Sequence, residues 1–173
     1  GLVIFAAGNE GKNTSSSDYE KILSVTSVGA DYKRAYYTCY GSWADVIAPG
    51  GDAKKGNQVL STVPGNKYGK MQGTSMACPH VSGVAALGMS YAMKLGRKFT
   101  REQFVSMLLS STNDMNSRLS GTKQSKDITG ENRLLNLDEY KGNMGTGSVD
   151  AWRFLMQIEG TPSILAKAGE EIE

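Results

Sequence analysis

Residues 73–87 read Gly-Thr-Ser-Met-Ala-Cys-Pro-His-Val-Ser-Gly-Val-Ala-Ala-Leu, a small, hydroxyl-bearing turn that runs directly into an apolar helical pattern. No Asp, Glu, Lys or Arg lies between Lys70 and Lys94, so we expect this helix to pack against a sheet rather than to lie on the surface. Ser75 falls in the predicted first turn, where the positive end of the helix dipole favours an anion. Its position alone leaves two interpretations open, a nucleophile or an ordinary helix cap.

The whole block resembles the serine-bearing signature of the subtilisin-like serine peptidases, the subtilases: Gly-Thr-Ser-Met-Ala, a variable residue, Pro-His-Val, a small residue and Gly. Ala-Ala-Gly-Asn-Glu-Gly at residues 6–11 resembles a second signature of the same family. The resemblance implies that Ser75 is the nucleophile of a serine endopeptidase that forms an acyl-enzyme. It also implies that Asn9 donates its side-chain amide to the oxyanion, together with the Ser75 backbone N–H. Without the resemblance, Asn9 would read as a turn residue.

The same resemblance assigns substrate-binding positions on both sides of the nucleophile. It places Ala6, Ala7 and Gly8 along one side of the primary specificity pocket. It places Met71 and Gln72 on the leaving-group side of the cleft, next to Gly73 and Thr74.

Three apolar runs predict parallel strands of an α/β sheet: Leu2–Ala7, Ile22–Val28 and Asp45–Gly50. The Leu2–Ala7 run ends at Asn9, and sites in open α/β sheets form at such strand ends. A fourth segment, Ala35–Tyr40, reads as an edge or hairpin strand. Two further runs, 59–63 and 68–72, flank Pro64-Gly65-Asn66-Lys67 and predict a hairpin that leads to the nucleophile helix. The expected fold is a partial subtilisin-like α/β fold, mainly a parallel sheet flanked by helices.

After the helix and a basic turn at 94–98, Thr100 and Gln103 form a capping box that opens a structural helix. Residues 113–142 are polar and turn-rich, which predicts a surface insertion with a short hairpin. Gly145–Ala151 then resembles the strand and helix near which subtilase domains end. We expect the last helix to pack on the sheet through four side chains, which are Trp152, Phe154, Leu155 and Ile158. The predicted domain covers residues 1–160, and 161–173 reads as a linker or the start of a following region.

Composition describes an ordinary globular chain, with 39% hydrophobic and 21% charged residues and a net charge of +2. It indicates no nucleic-acid or membrane partner. Two cysteines, Cys39 and Cys78, are too few for a disulfide framework; we expect Cys78 to be a buried free thiol, with a bridge to Cys39 as the minority alternative. No cofactor or metal site is predicted, although the resemblance leaves calcium possible in a full domain. Secretion or cell-surface location is expected from the family alone.

A serine nucleophile needs a base and an orienting carboxylate. The chain has one histidine, His80, five positions after Ser75 and about 140° around the helix from it, so we expect a buried packing residue. An α/β-hydrolase would need Gly where Ala77 stands and a histidine downstream. The subtilase order of Asp, His and Ser fits, with both partners expected before residue 1.

The chain alone is therefore predicted to be inactive. Its expected partners are a peptide or protein substrate and, at the Leu2–Ala7 edge, either the missing N-terminal half of the domain or a second copy of the chain. The alternative is a non-catalytic subtilase-like module used for binding or structure.

Overall fold

The structure is a computed structural model that describes residues 1–14 and 21–160. The predicted linker at 161–173, and most of the polar loop between Lys12 and Lys21, lie outside the described residues. A parallel sheet contains β1 (Val3–Ala6), β2 (Ile22–Val28) and β3 (Val46–Pro49), in the order β1-β2-β3. The three predicted parallel strands are confirmed.

Two antiparallel hairpins accompany the sheet. The first pairs β4 (Val59–Val63) with β5 (Lys67–Met71) and leads directly into the 21-residue helix α1 (Thr74–Lys94). Helix α2 (Arg101–Ser110) begins at the predicted capping box, in which the Gln103 N–H donates to Thr100 Oγ1 at 3.2 Å and the Thr100 N–H donates to Gln103 Oε1 at 2.9 Å. The second hairpin pairs β6 (Thr122–Lys126) with β7 (Asn132–Asn136), and α3 (Ala151–Glu159) follows.

Apolar clusters cover both faces of the sheet at β2 and β3, where side chains alternate between the two faces along each strand. On one face, Leu23, Val25, Val46 and Ala48 pack in a cluster with residues of α1, α2 and α3. On the other face, Val28 and Ile47 pack against side chains of the segment predicted as a polar insertion, which are Met115, Leu119, Leu135, Leu137 and Tyr140. The insertion thus contains the predicted hairpin and also contributes a second apolar cluster.

The outer edge of the sheet is β1, where Val3 is 54% and Phe5 is 64% exposed. A companion segment or a second copy at this edge stays a prediction. Among the described residues, no helix has both the length and the apolar character that crossing a membrane requires.

The predicted strand at Ala35–Tyr40 is wrong. Only its first residue bonds to a strand through the backbone, with the Ala35 N–H donating to the Ser27 carbonyl of β2 at 3.1 Å, and the groups that follow bond to loops and to a side chain. The Arg34 guanidinium donates to the carbonyl of Tyr36 at 3.2 Å and to that of Thr38 at 2.8 Å, and the Cys39 N–H donates to the Gly8 carbonyl at 2.9 Å. Because these acceptors are already satisfied, the segment forms a buried loop instead of a sheet edge.

The predicted packing of the last helix is also partly wrong. Phe154 and Ile158 are fully buried, but α3 packs chiefly on α1 and α2 rather than on the sheet, with the Phe154 and Phe104 rings edge to face at 5.1 Å. Trp152, predicted in this interface, is 61% exposed. Its position on the opposite side of a nine-residue helix follows from the helical period, since it lies two residues before Phe154.

A buried tyrosine hydroxyl joins the sheet to the start of α1. Tyr37 Oη accepts from the Gly73 N–H at 3.1 Å, lies 2.7 Å from Ser27 Oγ and donates to the Gly51 carbonyl at 2.7 Å. Burial is the main cause that raises the pKa of Tyr37 to about 12. The neutral hydroxyl of Tyr37 therefore helps to fix the backbone at Gly73.

A buried lysine joins the second hairpin to the loop after β3. Lys123 Nζ lies 2.9 Å from Asp52 Oδ2 and 3.0 Å from Asp31 Oδ2, and it donates to the Arg34 carbonyl at 2.8 Å. Both Lys123 and Asp52 are buried. The three acceptors match the three donors of the ammonium group, so this charge is fully paired.

We predict that Lys123→Met destabilises the fold by about 3–5 kcal/mol, because it leaves Asp52 as an unpaired buried charge. The matched control is Lys141→Met, which removes an exposed pair with Asp138 and should cost about 0–1 kcal/mol. Urea denaturation measures both free energies of unfolding. Equal losses in the two variants would contradict a buried, structural role for Lys123.

We further predict that Tyr37 makes the fold sensitive to alkali. Since its folded pKa lies above the ordinary value of 10, its contribution to stability is complete below about pH 10 and is lost as the pH rises through about 12. The free-energy difference between wild type and Tyr37→Phe should therefore shrink over that window, by about 1.4 kcal/mol per pH unit. The control is Tyr68→Phe, since Tyr68 is exposed. A difference that stays constant with pH would refute the assignment.

Candidate active site

Ser75 is the second residue of α1, and its side chain is exposed in a groove of about 310 Å³ formed with β4 and the first turns of the helix. The N-cap of the helix is Gly73, which has a φ of 147° and no side chain to cap the free N–H groups. The interpretation of Ser75 as an ordinary helix cap is therefore wrong. Pro79 lies in the second turn rather than the first, so the Ser75 carbonyl receives no N–H from position i+4.

Asn9 follows β1 and contacts the first residue of α1. Its Oδ1 accepts from the Thr74 N–H at 2.9 Å and from Thr74 Oγ1 at 3.0 Å. Thr74 Oγ1 in turn accepts from the Gly8 N–H at 3.2 Å. Asn9 is thus joined to the start of α1 across 65 residues of sequence and does more than form a local turn.

Two N–H donors next to Ser75 remain without an acceptor. Within residues 1–14 and 21–160, neither the Asn9 Nδ2 amide nor the Ser75 backbone N–H makes a hydrogen bond to another protein group. Asn9 Oδ1 already accepts two bonds, which leaves the amide nitrogen as the free end of that side chain. Both Asn9 and Ser75 are exposed residues.

The predicted pocket residues Ala6, Ala7 and Gly8 are half-buried at the end of β1. The Ala7 N–H donates to the Val25 carbonyl at 2.9 Å, so the backbone here is fixed by the neighbouring strand. Gly8 has a φ of 105°, and a Cβ at this position would lie 3.2 Å from Cys39 Sγ and 2.7 Å from Glu10 Oε2.

A hydrogen-bonded thiol and carboxylate lie next to Gly8, and sequence reasoning missed this pair. Cys39 Sγ donates to Glu10 Oε2 at 2.9 Å. This hydrogen bond lowers the pKa of Glu10, while burial raises the pKa of the Cys39 thiol. Both cysteines are free, Cys39 buried and Cys78 partly buried, so the disulfide alternative is wrong.

Met71 and Gln72 differ in their exposure to solvent. Met71 is 52% exposed, whereas Gln72 is half-buried, with Nε2 donating to Tyr36 Oη at 2.8 Å and Oε1 accepting from the Ala53 N–H at 2.5 Å. Gln72 and Gly73 line a cavity of about 230 Å³ together with Asn9, Tyr36 and Ile128. No local sequence signal marks Tyr36 or Ile128 as neighbours of Asn9, because they come from a loop and a hairpin tip.

Thr74 and Gly73, predicted as substrate-binding residues, are both buried. The Thr74 side chain is occupied by its bonds to Gly8 and Asn9, so it positions the site rather than lining it. Gly73 lies against Gly50: a Cβ at Gly50 would lie 2.5 Å from the Gly73 carbonyl oxygen and 2.1 Å from Ser27 Oγ. Only glycine at position 50 permits this approach.

His80 is hydrogen-bonded as predicted, but its predicted burial is wrong. Its Nδ1 lies 2.8 Å from the Met76 carbonyl oxygen one turn earlier, and the side chain is exposed in the same groove as Ser75. Since a carbonyl only accepts, Nδ1 carries the proton of this bond and Nε2 is the free nitrogen.

Among the described residues, no three or more His, Cys, Asp or Glu side chains come together as a possible metal site. A calcium requirement of a full domain stays a prediction.

Comparison with known proteins adds to this geometry. The model of the subtilase family matches residues 1–137. An extracellular basic protease of Dichelobacter nodosus is 38% identical over 128 residues, covering 68% of this chain and 20% of that protein. The major intracellular serine protease of Bacillus subtilis is 35% identical over 119 residues, covering 64% of this chain and 35% of that protein.

A solved protease structure from Pseudoalteromonas arctica superposes with a TM-score of 0.66 and 33% identity, over 91% of this chain and 42% of that one. The chain therefore spans only a part of the length of these relatives. Extracellular and intracellular proteases both occur among them, so family membership alone does not assign a compartment. The expected partial subtilisin-like fold is confirmed, and the chain belongs to the subtilase family of serine peptidases.

Proposed function

We propose that this chain supplies the nucleophile and the oxyanion donors of a serine endopeptidase. The observation that carries the proposal is the pair of unpartnered donors, the Ser75 N–H and the Asn9 amide, beside an exposed hydroxyl at a helix N-terminus. In the proposed reaction Ser75 Oγ attacks the carbonyl carbon of a peptide bond. The carbonyl oxygen becomes negative, and the two donors and the helix dipole stabilise it.

The remaining steps need a proton carrier. A base takes the Ser75 proton and returns it to the leaving amine, and water then hydrolyses the acyl-enzyme ester and restores the hydroxyl. His80 is a poor candidate, because it lies about 140° around the same helix from Ser75 and, within the described residues, makes a side-chain hydrogen bond to the Met76 carbonyl and none to Ser75. We therefore propose that the chain alone does not hydrolyse peptides. Secretion, expected from the family, also stays a prediction.

We predict that a serine-directed fluorophosphonate leaves the isolated chain unmodified, because Ser75 Oγ stays protonated without a base. Intact-mass spectrometry measures the adduct, with Ser75→Ala as the control for reaction elsewhere. A stoichiometric adduct that Ser75→Ala abolishes would contradict the proposed inactivity. If His80→Gln then removed the adduct as well, His80 Nε2 would be the base.

In a complete subtilase domain that includes these residues, we predict that Asn9→Ala lowers kcat about 10²–10³-fold, a magnitude measured for such a donor in a subtilisin. KM should change little, because the bond forms only as the oxyanion develops. Asn13→Ala in the same loop is the matched control. A loss confined to KM would indicate a substrate-binding role instead. Unchanged kinetics in a domain with a full triad would favour the alternative, a subtilase-like binding module.

A further inference from the structure

A small cavity of about 150 Å³ lies beside the candidate active site, between the turn after β1 and the β6–β7 hairpin. Three cationic side chains line it, which are Arg34, Lys126 and Arg133. Tyr36 and Ile128 line both this cavity and the one that contains Asn9 and Gln72, so the two spaces adjoin.

Arg34 is the central feature of this cavity, because it is a buried cation without a carboxylate partner. Its side chain is 1% exposed, and no acidic group in the described part of the chain forms an ion pair with it. Its terminal nitrogens donate to the carbonyls of Gly11 at 3.1 Å, Tyr36 at 3.2 Å and Thr38 at 2.8 Å. The ring of Tyr140 lies 4.3 Å from Arg34 Cζ.

Three of the five N–H groups of this guanidinium are used in these bonds, and Nε is the one nitrogen that has no partner. Arg34 Nε is buried and has no hydrogen-bond partner. A buried N–H without an acceptor costs free energy, more so when it belongs to a charged group. Desolvation and, to a smaller degree, the charge of Arg133 lower the pKa of Arg34, which shows that both burial and a neighbouring cation disfavour its charge.

The two acidic residues that line the cavity are bonded elsewhere. The Glu10 carboxylate accepts from Cys39 Sγ at 2.9 Å. The Asp127 carboxylate accepts from Thr129 Oγ1 at 2.6 Å and from the Glu131 N–H at 3.0 Å. The cavity is therefore lined by three cationic side chains and two carboxylates, and both carboxylates already accept hydrogen bonds from neighbouring groups.

We propose that this cavity binds a carboxylate, which accepts from Arg34 Nε and Arg133 and compensates the charge of the buried guanidinium. A volume of 150 Å³ accommodates a carboxylate group with accompanying water, at about 30 Å³ per water. Guanidinium groups match the two oxygens of a carboxylate in geometry. The carboxylate is either a free small anion or an acidic group of a peptide in the adjoining cleft; the second source rests on the proposed function.

The free-anion arm of the test uses acetate. NMR follows the Arg Nε–H signals of the ¹⁵N-labelled chain during an acetate titration at constant ionic strength. We expect a saturable shift of the Arg34 signal, weakened about tenfold in Arg133→Gln. The matched control is Arg118→Gln, which removes an exposed arginine stacked on Tyr32 away from the cavity. An equal loss in both variants would overturn the proposal.

The peptide arm compares two short peptides that differ only in Glu against Gln. Binding of the Glu peptide about tenfold more tightly, with the preference lost in Arg133→Gln, supports the site and identifies a peptide carboxylate as its ligand. Saturable acetate binding without this preference supports the site with a free anion as its ligand, whatever the outcome for Ser75. No saturable binding of acetate and no Glu preference refutes the site, while Ser75 and Asn9 remain to be judged by their own tests.

Discussion

The hydrogen bonds around Thr74 are the constraint on which the candidate active site depends. This one buried residue takes the Gly8 N–H on its hydroxyl oxygen and gives both its hydroxyl and its backbone N–H to Asn9 Oδ1. The end of β1 and the start of α1 are thereby held together. These bonds hold the Asn9 amide in one orientation. Its nitrogen therefore needs no reorientation before it can donate to a ligand.

A second set of contacts fixes the same helix start from the other side. Gly73 donates to Tyr37 Oη at 3.1 Å and to the Gly50 carbonyl at 3.0 Å, which ties it to the loop after β3. That loop is held in turn by Asp52, whose carboxylate is paired with Lys123 of the second hairpin. The second hairpin, which lies in the predicted surface insertion, is therefore connected to the loop after β3 through a desolvated ion pair. This ion pair resists separation, because breaking it would leave an unpaired buried charge.

The sequence predicts those features whose cause is local or periodic. A few consecutive residues are enough to predict the apolar run of β2, the capping box at Thr100 and the turn after Val63. Features that depend on distant partners were wrong or missed. The segment after Arg34 fails to form a strand because a guanidinium binds its carbonyls, and Lys123 is buried only because Asp52 lies 71 residues away in sequence and adjacent in space. Exposure of His80 likewise depends on which elements flank α1.

Stabilising an oxyanion and activating a nucleophile are physically separate tasks, and the proposed function assigns the first of them to Asn9 and the Ser75 N–H. Asn9 is held by its two bonds from Thr74, and both Asn9 and Ser75 are exposed, so water can occupy their free donors at little cost. An unpartnered donor in such a place does not destabilise the fold. A base, by contrast, acts only through a hydrogen bond to Ser75 Oγ, and in the described part of the chain His80 makes no such bond to Ser75. Under the proposed function, the donors for the negative charge are therefore in place within this chain, and a base is the part that a complete site has to add.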